Sequence, residues 1–218
     1  MGSERLELNL GLNTVLSERL EQQIQFVLEI DRLKTILRQT LLTDASRQEN
    51  SAEHSWHIAI MAMLLAEYSP HPIDILRVMK MLLVHDLVEI DAGDTFCYDV
   101  QGNQDKAKRE QQAADRLFGL LPTDQNIELR QLWEEFEAQQ TTNARFAAAL
   151  DRIQPLLNNW QTQGHTWQKH GVTRDQVLQR VAPVKSATPA LWQRVEQILD
   201  DCVSKGYLRG ENAAPENH

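Results

Sequence analysis

Residues 85–94 read HDLVEIDAGD and follow a segment, Ile75 to Val84, in which only two side chains are charged. A helix that apolar is normally buried. The stretch after it is rich in ionisable groups, among them His85, Asp86, Glu89 and Asp94. Such groups at the end of a buried helix are energetically costly unless something compensates their charge. A metal ion is the compensation that best fits a mixture of imidazole and carboxylate groups.

The composition limits the classes of protein that the chain can represent. Its 218 residues are 42% hydrophobic, which is enough for the core of one domain or of a domain with an appendage. The net charge of −9 argues against a general nucleic-acid surface but permits a small phosphorylated substrate. The N-terminal residues lack the pattern of a signal peptide, and no run of about 18 apolar residues occurs. We therefore expect a cytoplasmic protein that binds neither nucleic acid nor membrane.

Apolar residues recur at helical spacing nearly throughout the chain, and no alternating strand of useful length appears. We therefore predict an all-α fold. The first helical stripe contains Phe26, Ile30, Leu33 and Leu37, and the polar residues 40–53 after it predict a loop.

A second helical stripe carries a histidine among apolar residues. His54, Ile58, Met61 and Leu65 step by four, three and four, which places them on one helix face. A histidine on such a stripe, taken alone, is more often a buried core residue than a metal ligand. The remaining predicted helices are 73–90, Lys106–Leu121, Ile127–Ala138, Thr142–Trp160 with a candidate kink at Pro155, and one that opens at Thr188-Pro189.

The predicted helices divide into a main domain and an extension. We assign residues 15–165 to the main domain, 172–208 to a C-terminal helical extension packed on it, and 209–218 to a flexible tail. Thr173 followed by Gln176 resembles a capping box, which predicts the start of a helix within the extension.

Helical spacing brings the acidic and imidazole groups within reach of one another. Residues three or four apart share a helix face, so Glu89 lies beside both His85 and Asp86. The segment FAAALDRIQPLL supplies Asp151, with small alanines one turn earlier that leave room for close helix approach. Together with His54 this gives two imidazoles and two carboxylates, which suit Mn, Fe, Co, Ni or Zn better than Mg or Ca.

Three segments of the chain carry a resemblance to one family. ENSAEHSWH, HDLVEIDAGD and ALDRIQPLL are similar, in this order, to the HD-domain metal-dependent phosphohydrolases, and most of all to their 5'-deoxynucleotidase branch. The resemblance covers about residues 25–165. It implies a compact bundle of HD-domain type with additional C-terminal helices. It also implies one divalent transition metal bound by His54, His85, Asp86 and Asp151.

The resemblance further implies roles for residues around the metal. Glu89 corresponds to the residue that positions or deprotonates the attacking water, Asp94 to one that contacts the deoxyribose, and Arg38 to one that binds the phosphate. Without the family, an arginine near a helix end would often just bind backbone carbonyls. Gln39 stands where the bacterial branch has a tryptophan, so we expect the 2'-hydroxyl to be rejected only moderately.

These residues predict a hydrolase that releases phosphate from nucleoside 5'-monophosphates, with deoxyribonucleotides preferred. The alternatives are another HD-type enzyme (a triphosphohydrolase, a dinuclear phosphodiesterase or a di-iron oxygenase) and a non-catalytic metal-stabilised nucleotide-binding protein. Residues 87–150 contain no histidine, so a second metal would have only carboxylates, and we expect one metal per chain. Whether Lys106 or Arg109 contacts the phosphate stays open. The resemblance also implies a homodimer.

Overall fold

The structure is a computed structural model that describes residues 2–210, with side chains described from residue 15 onward. The all-α prediction is confirmed. The helices are α1 Gly2–Ile30, α2 Ser51–Leu65, α3 Ile75–Val84, α4 Glu89–Ala92, α5 Lys106–Phe118, α6 Thr123–Ala138, α7 Thr142–Gln161, α8 His165–His170, α9 Arg174–Val181, α10 Val184–Ala187 and α11 Pro189–Ser204. Short 3-10 helices cover Asp31–Thr35, Ala66–Tyr68 and His85–Val88. None of the helices between residues 2 and 210 combines the length and apolarity needed to cross a membrane.

A small β-hairpin replaces part of what the periodicity predicted as helix and loop. α1 ends at Ile30, and after one 3-10 helix the chain enters β1, Leu37–Leu41, which pairs antiparallel with β2, Gln48–Asn50. The helical prediction was therefore wrong at Leu37, whose side chain is 54% exposed, although Phe26 and Leu33 do face the core. The loop prediction for residues 40–53 was wrong as well, because these residues include most of the hairpin and the start of α2.

The helix that carries the HD stretch is interrupted where the ionisable groups begin. α3 starts at Ile75, after Asp74 has accepted a capping hydrogen bond from the backbone N–H of Arg77. It ends at Val84, and the next four residues tighten into a 3-10 helix before α4. The predicted continuous helix over 73–90 is thus three shorter ones. This change of pitch keeps His85 and Glu89 buried together.

Two apolar clusters hold the helices together. One contains residues of α2, α3, α6 and α7 and also of α9, α10 and α11, with Leu150, Val184 and Leu199 among its buried members. The other joins α1 and α5 to the HD stretch through residues such as Phe26 and Phe118. The C-terminal helices therefore share a core with the central helix α7. The assignment of residues 15–165 and 172–208 to separate units stays a prediction, and residues 211–218 of the predicted tail lie outside the described residues.

The N-terminal caps of two helices in the C-terminal part of the chain test two of the sequence predictions. The Thr173–Gln176 capping box is confirmed at the start of α9, with both reciprocal hydrogen bonds formed. Pro189 does occupy the first turn of α11, but the side chain of Thr188 makes no capping bond. Its hydroxyl donates instead to the carbonyl of Tyr68, at 3.0 Å. Thr188 thus ties the start of α11 to the 3-10 helix that follows α2 rather than capping its own helix.

Candidate metal and substrate site

Three elements bring two imidazoles and a carboxylate together in the interior. His54 lies on α2, His85 begins the 3-10 helix after α3, and Asp151 lies on α7. Asp151 Oδ1 is 3.0 Å from His54 Nε2 and 3.7 Å from His85 Nε2. One ligand atom from each of the three lies within 4.8 Å of the others, so the group has the composition and spacing to hold a metal ion.

Asp86, the fourth predicted ligand, lies at the edge of this group. Its Oδ1 is 3.0 Å from His85 Nε2, while its Oδ2 accepts a hydrogen bond from Arg38 Nη1 at 2.8 Å. Burial alone would raise the pKa of Asp86, but the positive charges of His85 and Arg38 lower it. Asp86 is therefore held as a carboxylate.

The orientation of the imidazoles fits a metal. His85 Nδ1 lies 2.8 Å from the carbonyl oxygen of Leu82, which can only accept, so Nδ1 carries the proton. Asp86 Oδ1 is 3.0 Å from the buried Nε2 atom of His85 but not at a hydrogen-bonding angle, so Nε2 has no hydrogen-bond partner among the residues that the structure describes. Burial alone would lower the pKa of His85, but the carboxylates of Asp86 and Asp151 raise it well above its usual value. The group therefore attracts a positive charge to the space between these side chains.

A buried polar network orients His54. Gln154, one turn after Asp151, donates from Nε2 to Glu49 Oε1 at 2.6 Å. Its Oε1 atom is therefore left to accept from His54 Nδ1, at 3.0 Å, which directs Nε2 toward Asp151. His57 Nδ1 lies 3.3 Å from the same amide. Sequence reasoning missed Gln154, although its spacing of three from Asp151 puts both on one helix face. Nothing in the polar sequence around Glu49 indicates its burial.

Glu89 and Asp94 lie beside the group and line a cavity of about 200 Å³. Since one water takes up about 30 Å³ of liquid, the cavity has room for a small organic molecule rather than an ion alone. The Ser51 hydroxyl donates to Glu89 Oε2 at 2.6 Å. Burial, and then the negative charge of Asp86, raise the pKa of Glu89 well above its usual value. Burial also raises the pKa of Asp94.

Four basic side chains line the same cavity, and sequence reasoning had considered only two of them. Arg38 was expected there and Lys106 was left open, whereas Arg152 on α7 and Arg180 on α9 were not considered. No motif distinguished the latter two from ordinary helix-surface arginines. Lys106 Nζ lies 3.4 Å from Glu110 Oε1 in the next turn of α5.

Unlike Lys106, Arg109 binds the segment between α4 and α5. Its Nη2 atom donates to Thr95 Oγ1 at 3.1 Å and to the carbonyl of Gly102 at 2.9 Å. Its Nη1 atom donates to the carbonyl of Ala92. Its Nε atom donates to Asp105 Oδ1 at 2.9 Å. The arginine thus fastens the segment between α4 and α5, which carries Asp94 to the cavity, and its donors are used within that segment.

Gln39 packs against the C-terminal helices at the cavity wall. Its carbonyl accepts from the Thr166 hydroxyl at 3.0 Å, and its side-chain oxygen lies 3.3 Å from His170 Nε2. The ring of His170 lies over Phe96, with centroids 4.5 Å apart. Phe96 and Trp167 both line the cavity, which therefore has an aromatic part as well as the charged part near Asp151.

A family model described as an HD domain matches residues 30–192, most of the chain. The chain belongs to the HD-domain family. The match extends past residue 165 and takes in α8 to α10. Residues of α8 and α9 line the cavity together with those of α7.

Curated relatives of this HD-domain protein are named as nucleotidases. Human 5'-deoxynucleotidase HDDC2 is 31% identical over 135 residues, which are 62% of this chain and 65% of the human protein. The 5'-deoxynucleotidase hdd1 of Schizosaccharomyces pombe is 27% identical over 132 residues, or 58% of this chain and 65% of the yeast protein. The chain thus spans slightly less than two thirds of the length of these relatives.

Solved structures agree with the family. A predicted metal-dependent phosphohydrolase from Magnetospirillum magnetotacticum is 56% identical, with a TM-score of 0.85 over 88% of this chain and 96% of that one. An HD-domain phosphohydrolase from Listeria innocua is 16% identical, with a TM-score of 0.54 over 83% of this chain and 85% of that one, and shares the fold. The resemblance to HD-domain proteins is therefore confirmed, while the roles of the individual site residues stay predictions.

Proposed function

We propose that this HD-domain protein hydrolyses nucleoside 5'-monophosphates to nucleoside and phosphate, with deoxyribonucleotides preferred. The observation that carries the proposal is the convergence of His54, His85 and Asp151 beside a cavity that Glu89 also lines. The relatives named 5'-deoxynucleotidase support the choice of substrate class. The homodimer that the resemblance implies and the cytoplasmic location expected from the composition both stay predictions.

One divalent transition metal, such as Mn, Fe, Co, Ni or Zn, would be bound by His54, His85, Asp86 and Asp151. Such an ion supplies Lewis-acid chemistry, lowering the pKa of a bound water and polarising the phosphoryl group. The protein's own part is to keep the two Nε2 atoms directed at Asp151 and to hold Asp86 ionised through Arg38.

Glu89 is the group we assign to proton transfer. Its raised pKa makes it a stronger base than an exposed glutamate once it is ionised, and burial shields it from bulk water. The hydrogen bond from Ser51 fixes the orientation of its carboxylate. Asp94, on the same wall, is assigned to the sugar, where Gln39 provides less bulk than a tryptophan would to exclude a 2'-hydroxyl.

Alanine substitutions test the metal site. We expect His54→Ala, His85→Ala, Asp86→Ala and Asp151→Ala each to lower bound metal and abolish turnover, while His71→Ala, at an exposed histidine, keeps both. Elemental analysis of the purified protein should give one metal per chain. A stoichiometry near two, or full metal content in the ligand variants, would contradict this assignment.

A substrate screen tests the reaction. The protein would be stripped of metal, reloaded with single divalent ions, and assayed for phosphate release from deoxy- and ribonucleoside mono-, di- and triphosphates. We expect 5'-monophosphates to be hydrolysed, with a moderate preference for the deoxy forms. Comparable rates on triphosphates or cyclic dinucleotides would favour another HD-type phosphohydrolase. Nucleotide binding without turnover under any metal would favour the non-catalytic alternative.

A further inference from the structure

The two carboxylate oxygens of Asp151 contact different kinds of side chain. Its Oδ1 atom faces the imidazoles of His54 and His85, whereas its Oδ2 atom lies 3.6 Å from Arg180 Nη2. Arg180 comes from α9, and Arg152 is the next residue after Asp151 on α7. Both arginines line the cavity, so two helices deliver a pair of guanidinium groups to the space beside the metal ligands.

Arg152 is incompletely satisfied. Its Nη2 atom donates to Gln139 Oε1 at 3.0 Å. Its Nε and Nη1 atoms are buried, and no acceptor in the described part of the chain lies within hydrogen-bond distance of them. Leaving charged donors buried without an acceptor is energetically costly. Arg152 and Arg180 are both positively charged and line the same cavity, so an anion bound there would relieve the repulsion between the two guanidinium groups.

The other basic groups of the cavity are already compensated. Arg38 donates to Asp86, and its Nε atom lies 3.9 Å from Glu49 Oε2. Burial alone would lower the pKa of Arg38, but the surrounding carboxylates, Asp86 first, raise it. Lys106 has its own partner in Glu110. Arg38 and Lys106 are thus each paired with a carboxylate, whereas Arg152 keeps two buried donors without an acceptor and Arg180 has only the 3.6 Å contact with Asp151 Oδ2.

We propose that Arg152 and Arg180 bind the phosphate dianion of the substrate. The identity of that substrate rests on the proposed function. A guanidinium presents parallel donors that match phosphate oxygens, and a phosphate monoester carries close to two negative charges, enough for two arginines. These arginines, rather than Arg38 alone, hold the phosphoryl group next to Asp151. Inorganic phosphate, the other product of the reaction, has the same chemistry and occupies the same place.

Binding of inorganic phosphate provides a test that does not depend on turnover. Inorganic phosphate and an unphosphorylated deoxynucleoside would each be titrated calorimetrically into the metal-loaded full chain. We expect Arg180→Gln and Arg152→Gln to weaken phosphate binding about 10- to 100-fold, the range for a lost hydrogen bond to a charged group, and to leave deoxynucleoside binding unchanged. Arg194→Gln removes the same charge from an exposed position on α11 and should change neither affinity. Phosphate affinity within twofold of the parent in both variants would overturn the proposal.

Because Arg152 is partly buried, its variant is checked by circular dichroism; if it does not fold, Arg180→Gln alone decides the test. Equal weakening of phosphate and deoxynucleoside binding would indicate a damaged cavity and would also overturn the proposal. Two further outcomes separate this inference from the proposed function. Phosphate binding that depends on the arginines, without hydrolysis of any nucleoside monophosphate, would contradict the proposed function and support the anion site. Hydrolysis of nucleoside monophosphates with an unchanged KM in both variants would support the proposed function and contradict the anion site.

Discussion

The role of Glu89 can be tested separately from the roles of the predicted metal ligands around it. It is close to the ligand group, yet its carboxylate accepts a hydrogen bond from Ser51 rather than from a histidine. We expect Glu89→Gln to retain bound metal and to lower kcat by about two to four orders of magnitude, the usual range for a lost general base. Phosphate release and metal content would be measured on the same preparations. Glu67→Gln, at an exposed glutamate, serves as control, and near-full activity of Glu89→Gln would assign the base to another group.

Ser51 provides a pH-dependent prediction at the same carboxylate. Its hydroxyl donates to the ionised form of Glu89 and so lowers the pKa that burial has raised. Removing the hydroxyl raises that pKa further, so the acid limb of the kcat profile moves to higher pH, by about one to two units for a hydrogen bond to a charged group.

Profiles of kcat against pH for Ser51→Ala would be compared with those for Ser55→Ala. Ser55 is buried one turn later on α2, and no partner of its hydroxyl is found among the described residues. We expect its removal to leave the acid limb in place. Identical profiles for the two variants would show that Glu89 does not set this limb.

Among the secondary-structure elements, those with an amphipathic stripe or a cap could be predicted from sequence. The stripe through His54 gave α2, and the alanine-rich segment around Asp151 gave α7, because helical spacing is preserved over several turns there. These two helices and the HD stretch contain every residue proposed as a metal ligand. The convergence of these side chains was therefore predictable from local periodicity together with the family resemblance, while their roles as metal ligands stay predictions.

The hairpin and the second pair of arginines could not be predicted, for a physical reason they share. β1 and β2 are short and mostly polar, so their pairing depends on contacts with the helices rather than on an alternating pattern of their own. Arg180 reaches the cavity only through the packing of α9 on α7, a tertiary contact that local spacing does not encode. Local sequence patterns therefore do not predict features that depend on packing between distant parts of the chain.

The cap of α2 is the element on which the position of His54 depends. The side chain of Asn50 accepts from the N–H of Glu53 at 2.9 Å, and Glu53 Oε2 accepts from the N–H of Asn50 at 3.1 Å. We expect Asn50→Ala to lower the free energy of unfolding by about 1 kcal/mol, whereas Asn50→Asp preserves the cap. Urea denaturation of the three proteins would measure this. Equal stability of Asn50→Ala and the parent would show that the hairpin alone fixes the start of α2.

At the scale of the whole molecule, the C-terminal helices belong to the same core as the site. Leu199 on α11 is fully buried in the cluster that contains Leu150 of α7. We expect Leu199→Ala to destabilise the protein by about 2–5 kcal/mol, as large-to-small core substitutions do. Leu76→Ala, at a leucine that is 62% exposed, should stay within about 0.5 kcal/mol of the parent.

Unfolding followed by tryptophan fluorescence and by circular dichroism would measure both leucine variants. Coincident single transitions are expected because helices on both sides of residue 165 share one apolar cluster. Two separated transitions, with Leu199→Ala moving only one of them, would instead support an independently folding C-terminal extension.

The sequence separation of the site contacts has a consequence for synthesis of the chain. His54 and Asp151 are 97 residues apart, and Glu49 and Gln154 are 105 apart, so these contacts close long loops. Closing such a long loop costs conformational entropy before the contact between its ends forms. These contacts are therefore expected to form only after the intervening helices exist. A ribosome that has released the chain only as far as α6 has exposed both histidines but no Asp151 and no Arg180. A chain interrupted during translation therefore holds an incomplete site, and hydrolysis by this site would begin only after α7 and α9 had been synthesised and had folded against α2.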